Sequence, residues 1–343
     1  MIWPAAKGAL STYTHFMTPH TWLITGGAGF IGAHVADEFL ASGRDVVIYD
    51  SLYRGLESRI EYLRRKHNKE IPLVVADIRE IDKFEGALST FRPHGIIHTA
   101  ALKAVGESIE KPDEYFEVNF HATTKMLEVI TRNQIKRFIF ASTAAVYGAP
   151  DHSNPIKEND KKNPISPYGA SKLAAESEVD KFLSAPENHG TSLRFFNVIG
   201  TATAELLDNS VENLVPIVIN KLKAGEPPII YGTDYPTPDG TCIRDYVDVR
   251  DIARAHFLAA YFGGTLPYSM NVGTGHGESV REVIRLIGTL FGSGDVDGID
   301  VGRRAGDPAC ISADVTVIGN KIGFTAKYSL KSSIQSLLPV FTT

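Results

Sequence analysis

Thr21-Trp-Leu-Ile-Thr25-Gly26-Gly-Ala-Gly29-Phe30-Ile31-Gly32 is the stretch that decides the fold. Its first five residues read as a short apolar strand, and the helical pattern that starts at Phe30 runs to Leu40 and is closed by Gly43. Between strand and helix stands a GxxGxxG turn, not the GxGxxG form. A tight turn in that position lets backbone N–H groups and the helix N-terminus face a pyrophosphate. Three glycines alone would be equally consistent with close helix-to-strand packing, so the reading depends on the residues downstream.

Downstream the chain alternates regularly. Arg44–Asp50 forms a second strand, and Pro72–Ala76, Gly95–Thr99, Arg137–Ala141 and Ser192–Phe196 are further buried-strand candidates with helical stretches between them. This rhythm predicts an α/β fold with a Rossmann-type, doubly wound parallel sheet. After Asn197 it breaks into a polar loop, a helix over Leu214–Lys223 and the Pro- and Gly-rich run from Gly225 to Gly240. A smaller C-terminal substrate-binding lobe is expected there. The division is therefore a poorly ordered extension over 1–20, a dinucleotide-binding domain over 21–196 and a second lobe over 197–343. Because the first strand starts at Thr21, Met17 is expected to be the true start; an intact mass of native protein that includes residues 1–16 would overturn this.

The 343 residues are 43% hydrophobic and 22% charged, enough for a large core or two lobes sharing an interface. The net charge of −5 and pI near 6.1 give no electrostatic reason to expect nucleic acid as a partner. Cys242 and Cys310 are the only cysteines, with no neighbouring cluster of zinc spacing, so no metal is expected and a reducing, cytoplasmic setting fits. No stretch has the length of a membrane span.

Asp50 ends the second strand, where a carboxylate can accept hydrogen bonds from the adenosine ribose and would repel a 2′-phosphate, which favours NAD over NADP. The alternative is that Asp50 only caps a turn. Asp77 and Ile78 come directly after the third strand and are placed to meet the adenine. Tyr168-Gly-Ala-Ser-Lys172 puts a phenol and an ammonium on one face of a helix. A fixed ammonium and a nearby oxidised nicotinamide both favour the phenolate, which can then take a proton from a hydroxyl. Upstream, Thr143 leaves a strand at its C-terminal end and can orient that hydroxyl or relay its proton. A Tyr/Lys pair at this spacing is common on helix surfaces. The combination with Thr143 and the glycine turn is what is specific.

These motifs, in this order, resemble the extended short-chain dehydrogenase/reductases. Ala101-Leu-Lys-Ala-Val-Gly-Glu-Ser108, Asp234-Tyr-Pro-Thr-Pro-Asp-Gly-Thr241, Arg244-Asp-Tyr246 and Arg303-Arg-Ala-Gly-Asp307 make the chain similar to the UDP-glucose 4-epimerase (UDP-galactose 4-epimerase) family from about Thr21 to Asp314. The resemblance implies an isomerase that interconverts UDP-glucose and UDP-galactose through a transient 4-keto sugar, with NAD retained throughout. It implies an NAD site made of Gly26, Gly29, Phe30, Ile31, Gly32, Asp50, Ser51, Asp77, Ile78, Ala100, Ala101, Lys103, Asn119, Thr143, Tyr168, Lys172 and Phe196. It also implies a UDP-sugar site made of Lys103, Thr143, Tyr168, Asn197, Asn213, Leu214, Tyr231, Arg244, Tyr246, Arg304 and Asp307. Guanidinium groups suit a diphosphate, and Asp307 can accept from the uridine ribose. A homodimer is implied through the helical stretches Asp113–Thr131 and Tyr168–Leu183, although either could equally cover the sheet in a monomer.

The chain departs from the family at several positions. Ser51 stands where Asn is usual, Thr143 where Ser is commoner, and Val118 where the first Asn of a pair is usual, leaving Asn119. The loop Thr201–Glu212 is short. Cys310 and Ile311 lie near the position that decides whether an N-acetyl group fits. UDP-N-acetylglucosamine or a UDP-pentose is the alternative substrate. A 4,6-dehydratase would need an acid/base pair where Ala144-Ala145 stand, and a non-catalytic NAD sensor would commonly lack the Tyr or the Lys.

Overall fold

Every residue of Trp22–Thr25, Val46–Asp50 and Gly95–His98 is buried, as strands covered on both faces must be. In the computed structural model, which describes residues 20–150, 152, 155–208, 213–304 and 307–341, they form the centre of a seven-stranded sheet. The strands are β1 (Trp22–Thr25), β2 (Val46–Asp50), β3 (Leu73–Val75), β4 (Gly95–His98), β5 (Arg137–Thr143), β6 (His189–Phe195), β7 (Asn197–Ile199), β8 (Ile229–Tyr231), β9 (Ile243–Arg244), β10 (Tyr246–Asp248), β11 (Ser269–Val272), β12 (Glu278–Ser279), β13 (Ile299–Val301) and β14 (Cys310–Ile311). The main sheet has the order β3-β2-β1-β4-β5-β6-β11 and all its pairings are parallel. The six strands read from the sequence are all in it, which is the doubly wound Rossmann arrangement.

The helices are α1 (Phe30–Ala41), α2 (Glu57–His67), α3 (Ile81–Phe91), α4 (Val105–Glu110), α5 (Pro112–Phe116), α6 (Ala122–Arg132), α7 (Pro167–Leu183), α8 (Leu214–Lys223), α9 (Val249–Tyr261), α10 (Val280–Leu290), α11 (Thr316–Ile322), α12 (Leu330–Gln335) and α13 (Leu338–Phe341). One face of the sheet packs on Phe39, Ile252 and Ala259 of α1 and α9, the other on Phe84, Met126 and Val179 of α3, α6 and α7. Local chemistry sets the starts. Ser166 accepts the Gly169 N–H at 3.1 Å ahead of Pro167, and Ser279 with Glu282 forms a capping box on α10.

Two expectations need correction. The first unit does not close at residue 196, because α9 and β11 return to it and add the seventh strand beside β6. A parallel strand needs a crossover, and the sequence supplies it only after the chain has visited the second lobe. The expected helix over 113–131 is likewise interrupted: Glu117–His121 forms one π-turn between α5 and α6. That turn directs Asn119 inward, where its amide holds both the N–H and the C=O of Leu102 at 2.9 Å. The second lobe is built of two strand pairs (β7-β10 and β8-β13), a three-stranded sheet (β12-β9-β14) and α8, α10 and α12 around Ile219, Tyr246 and Ile284. Buried Asp245 ties it together by accepting the N–H groups of Thr274, Gly275 and Ala313. The expectation for residues 1–19 lies outside the described residues.

Three histidines are buried in the neutral state. Burial holds His34 down at about 4, His98 at about 3 and His256 at about 4. Their folded values lie below the unfolded value near 6.5, so the stability they contribute is present above pH 6.5 and is lost as pH falls toward 4. Each should cost about 2–3 kcal/mol by pH 4.5. Urea midpoints measured between pH 7.5 and 4.5 should fall steeply; a flat profile would contradict this.

Candidate active site

The strand order reverses between β1 and β4, and there, at the carboxyl ends of the strands, lies a cavity of roughly 620 Å³. The glycine turn forms one wall. Gly26 is left-handed at φ 69°, and a Cβ on it would meet the Ala100 amide nitrogen at 2.6 Å. A Cβ on Gly32 would lie 2.2 Å from the Gly26 carbonyl oxygen. Larger residues would therefore push α1 off the strand and fill the space next to the turn. The wall is shaped for close approach of a phosphate group, which is the fit a dinucleotide requires.

Asp50 lines the cavity beside the turn and also caps it. Its Oδ2 accepts the Ala28 N–H at 2.9 Å and its Oδ1 the Leu52 N–H at 2.8 Å, so it caps the turn while still facing the cavity. Burial raises its pKa, and the backbone donors pull it back. Gly55 allows this packing, since a Cβ there would meet Asp50 Oδ1 at 2.6 Å.

The opposite wall carries Tyr168 and Lys172. Tyr168 reaches the β5 terminus because Gly169 lets α7 approach the Ala145 carbonyl, to which a Cβ would come within 2.6 Å. Burial raises the phenol's pKa, while a hydrogen bond from Thr143 lowers it. Lys172 is 2% exposed, and its Nζ lies 3.9 Å from the centroid of the Phe140 ring. Burial pushes its ammonium down to about 7, with Glu176 opposing. Each group resists its charge alone, whereas phenolate and ammonium one helical turn apart favour each other. Beneath them Glu176 bonds Ser142 and makes a buried bidentate pair with Arg194 at 2.7 and 2.9 Å. Arg194 in turn donates to Tyr147 at 2.8 Å, and Tyr147 donates to Asn271 at 2.7 Å.

Of the residues expected at the cofactor, Gly26, Gly29, Phe30, Ile31, Gly32, Asp50, Ser51, Asp77, Ile78, Ala100, Ala101, Lys103, Tyr168 and Lys172 line this one cavity. Three expected there do not. Asn119 is 1% exposed and spends its amide on Leu102 and Ser171, so it supports the wall from behind. Phe196 packs with Val146, Tyr147 and Ile311, and its neighbour Phe195, on the other side of the strand, faces the cavity instead. Thr143 is hydrogen-bonded to Tyr168 and caps the 3₁₀ turn after β5 by accepting the Ala145 N–H.

In the second lobe Arg304 stacks on Tyr231 at 3.8 Å and Arg244 pairs with Asp307 at 3.5 Å. The Asp307 N–H donates to the Arg304 carbonyl, which brings the two pairs together. Asn213 donates to Asp208 at 2.7 Å, and Lys103 reaches the same carboxylate at 3.4 Å. Leu214 opens α8 beside them, and Asn197 is exposed at the start of β7. Tyr246 differs from expectation: it is 5% exposed among Ile199, Val215 and Ile219, because its strand is buried at every position. In the β9–β14 register Ile311 stands opposite Arg244 and is buried with Phe196 and Ala144, whereas Cys310 stands opposite Ile243. Sequence reading missed Tyr53, Arg54, Thr99, Phe195 and Asp208, all of which line the cavity, as does Ser142 beside Thr143 at the end of β5. Strand-end position was the available signal for Thr99 and Phe195; Asp208 had none. Among the described residues there is no cluster of metal-ligating side chains, and no helix is long and apolar enough to cross a membrane.

A doubly wound sheet with a glycine turn at its switch point and a Tyr/Lys pair across the cavity defines a dinucleotide-dependent protein of the short-chain dehydrogenase/reductase type. The chain belongs to the NAD dependent epimerase/dehydratase family, whose model matches residues 22–273. It is 37% identical over 325 residues to a UDP-glucose 4-epimerase of Azospirillum brasilense, covering 92% of this chain and 90% of that one. Among solved structures it is similar to the UDP-glucose 4-epimerase of Stenotrophomonas maltophila with bound NAD and formylated UDP-arabinopyranose, with TM-score 0.88 and 32% identity over 94% of this chain and 98% of that one. The Bifidobacterium longum enzyme in complex with NAD+ and UDP gives TM-score 0.85 and 34% identity, with the same coverage.

Replacing Gly32 with Ala should remove NAD from the purified protein and lower its stability by about 1–3 kcal/mol through overpacking. Ultraviolet absorbance of a heat extract, with urea unfolding, checks both; a variant that keeps full NAD content would refute the packing argument.

Proposed function

We propose that this protein is an NAD-dependent UDP-glucose 4-epimerase that interconverts UDP-glucose and UDP-galactose. The observation that carries the reading is the single cavity that joins the glycine turn and Asp50 to Tyr168 and Lys172 and opens toward Lys103 and Asp208. The relatives, which are UDP-glucose 4-epimerases over nearly their whole length, support it.

Gly26, Gly29, Gly32 and Asp50 would hold NAD, which when bound would supply reversible hydride-transfer chemistry. The chain's own residues do the rest. Tyr168 takes the proton of the sugar's C4 hydroxyl and gives it back, Thr143 holds the phenol oxygen, and the Lys172 ammonium stabilises the phenolate. Arg244 and Arg304 are assigned to the diphosphate and Asp307 to the uridine ribose. With the nucleotide held firmly in the second lobe, the sugar is left free to turn between its two faces. Ala144 and Ala145 offer no carboxyl group for an elimination, which speaks against a dehydratase.

The reading includes a homodimer in a cytoplasmic setting, with α5–α6 and α7 as the contact. Half-buried Phe116 and Phe120, in edge contact on that face, are in keeping with it. Light scattering at micromolar concentration tests the dimer.

NMR of products from UDP-glucose, UDP-N-acetylglucosamine and UDP-xylose, without added cofactor, should show UDP-galactose formed from UDP-glucose. Tyr168→Phe should lower that rate by about 10²–10⁴-fold with NAD still bound. Turnover near that of the wild type in this variant would overturn the assignment.

A further inference from the structure

Arg59 lies on α2, outside the cavity lining, and is 0% exposed. A buried guanidinium is tolerated where its donors meet acceptors and its charge meets an opposite one. Its acceptors here come from both lobes. Nη1 donates to the Ala28 carbonyl at 3.0 Å and Nη2 to the Leu207 carbonyl at 2.5 Å. The countercharges are Asp208 and Asp50, which line the cavity from its two sides.

Both bonded carbonyls occupy sensitive positions. Ala28 sits inside the phosphate turn; its N–H donates to Asp50, and its carbonyl accepts from Leu56 N as well as from Arg59. Leu207 precedes Asp208, whose carboxylate receives Lys103 and Asn213, the N-cap residue of α8. A parallel tie runs from α1, where His34 donates through Nδ1 to the Phe30 carbonyl at 2.8 Å and accepts the Ala202 N–H on Nε2 at 3.0 Å. The segment from Ala202 to Asp208 is thus fastened to α1 near its start and, through Arg59, to the phosphate turn near its end.

We propose that Arg59 is a positioning residue that locks the phosphate turn to the Ala202–Asp208 segment, so that NAD in one lobe and a uridine nucleotide in the other stabilise each other's binding. This rests on the epimerase reading of the site. The planar fork of arginine reaches two carbonyls at once, which the point charge of lysine does not. The lock lies behind the cavity, so it acts on how ligands are held, with the reacting atoms left to Tyr168, Lys172 and Thr143.

The test measures release of NAD from the purified holoenzyme with and without saturating UDP. In the wild type UDP should slow release about fivefold or more, a typical size for coupling between sites. In R59M release should be faster and the UDP effect should vanish; in R59K, which covers the case of an unfolded R59M, the effect should be reduced. NAD and UDP both bound with no effect on each other in the wild type overturns the proposal alone, as does a folded R59M that keeps the wild-type ratio. A protein that holds no NAD or binds no UDP overturns the functional reading itself.

Discussion

A Cβ at Gly32 would stand 2.2 Å from the carbonyl oxygen of Gly26, and the rest of the site depends on that absence of a side chain. It lets the first turn of α1 rest on the end of β1, which sets the position of the helix N-terminus and the width of the cavity beside it. Asp50 then reaches back to hold Ala28, and Gly55 closes over Asp50. A second close approach works in the same way on the other wall. Gly169 brings α7 against Ala145, and so carries Tyr168 to Thr143. In both places backbone contact, which only glycine permits, sets distances that side chains then use.

Charge inside this frame is arranged in two layers. At the cavity surface Lys172 is held in a dry position over Phe140, where its ammonium is favoured only if a negative partner stands close. Behind it Glu176 and Arg194 neutralise each other and fix β5, β6 and α7 through Ser142, Tyr147 and Asn271. A buried pair of this kind adds little net stability but is costly to break on one side, so it holds the elements in a single arrangement. Arg59 does the same between lobes, using backbone carbonyls as acceptors.

Much of this could be read from the chain because strands buried on both faces are continuous apolar runs and because turn glycines have no substitute. The six strands of the first unit, the glycine turn, Asp50 and the Tyr168/Lys172 pair were all legible on those grounds. Phe195 and Phe196 show where legibility stops: two adjacent aromatic residues at a strand end face opposite ways, and which one meets the cavity depends on the registry with β5. Asn119 is similar, since a π-turn that the residue pattern does not announce directs it at Leu102.

The sequence by itself determined the alternation of elements, the glycine turn with Asp50 and the Tyr168/Lys172 pair, because each depends on short-range periodicity or on residue types that nothing else replaces. Only the tertiary structure decided that β11 completes the first sheet, that Ile311 rather than Cys310 stands opposite Arg244, and that Asp208 and Arg59 stand beside the phosphate turn. Those placements come from contacts between segments far apart in the chain. Their energies depend on registry and packing, which no local pattern encodes.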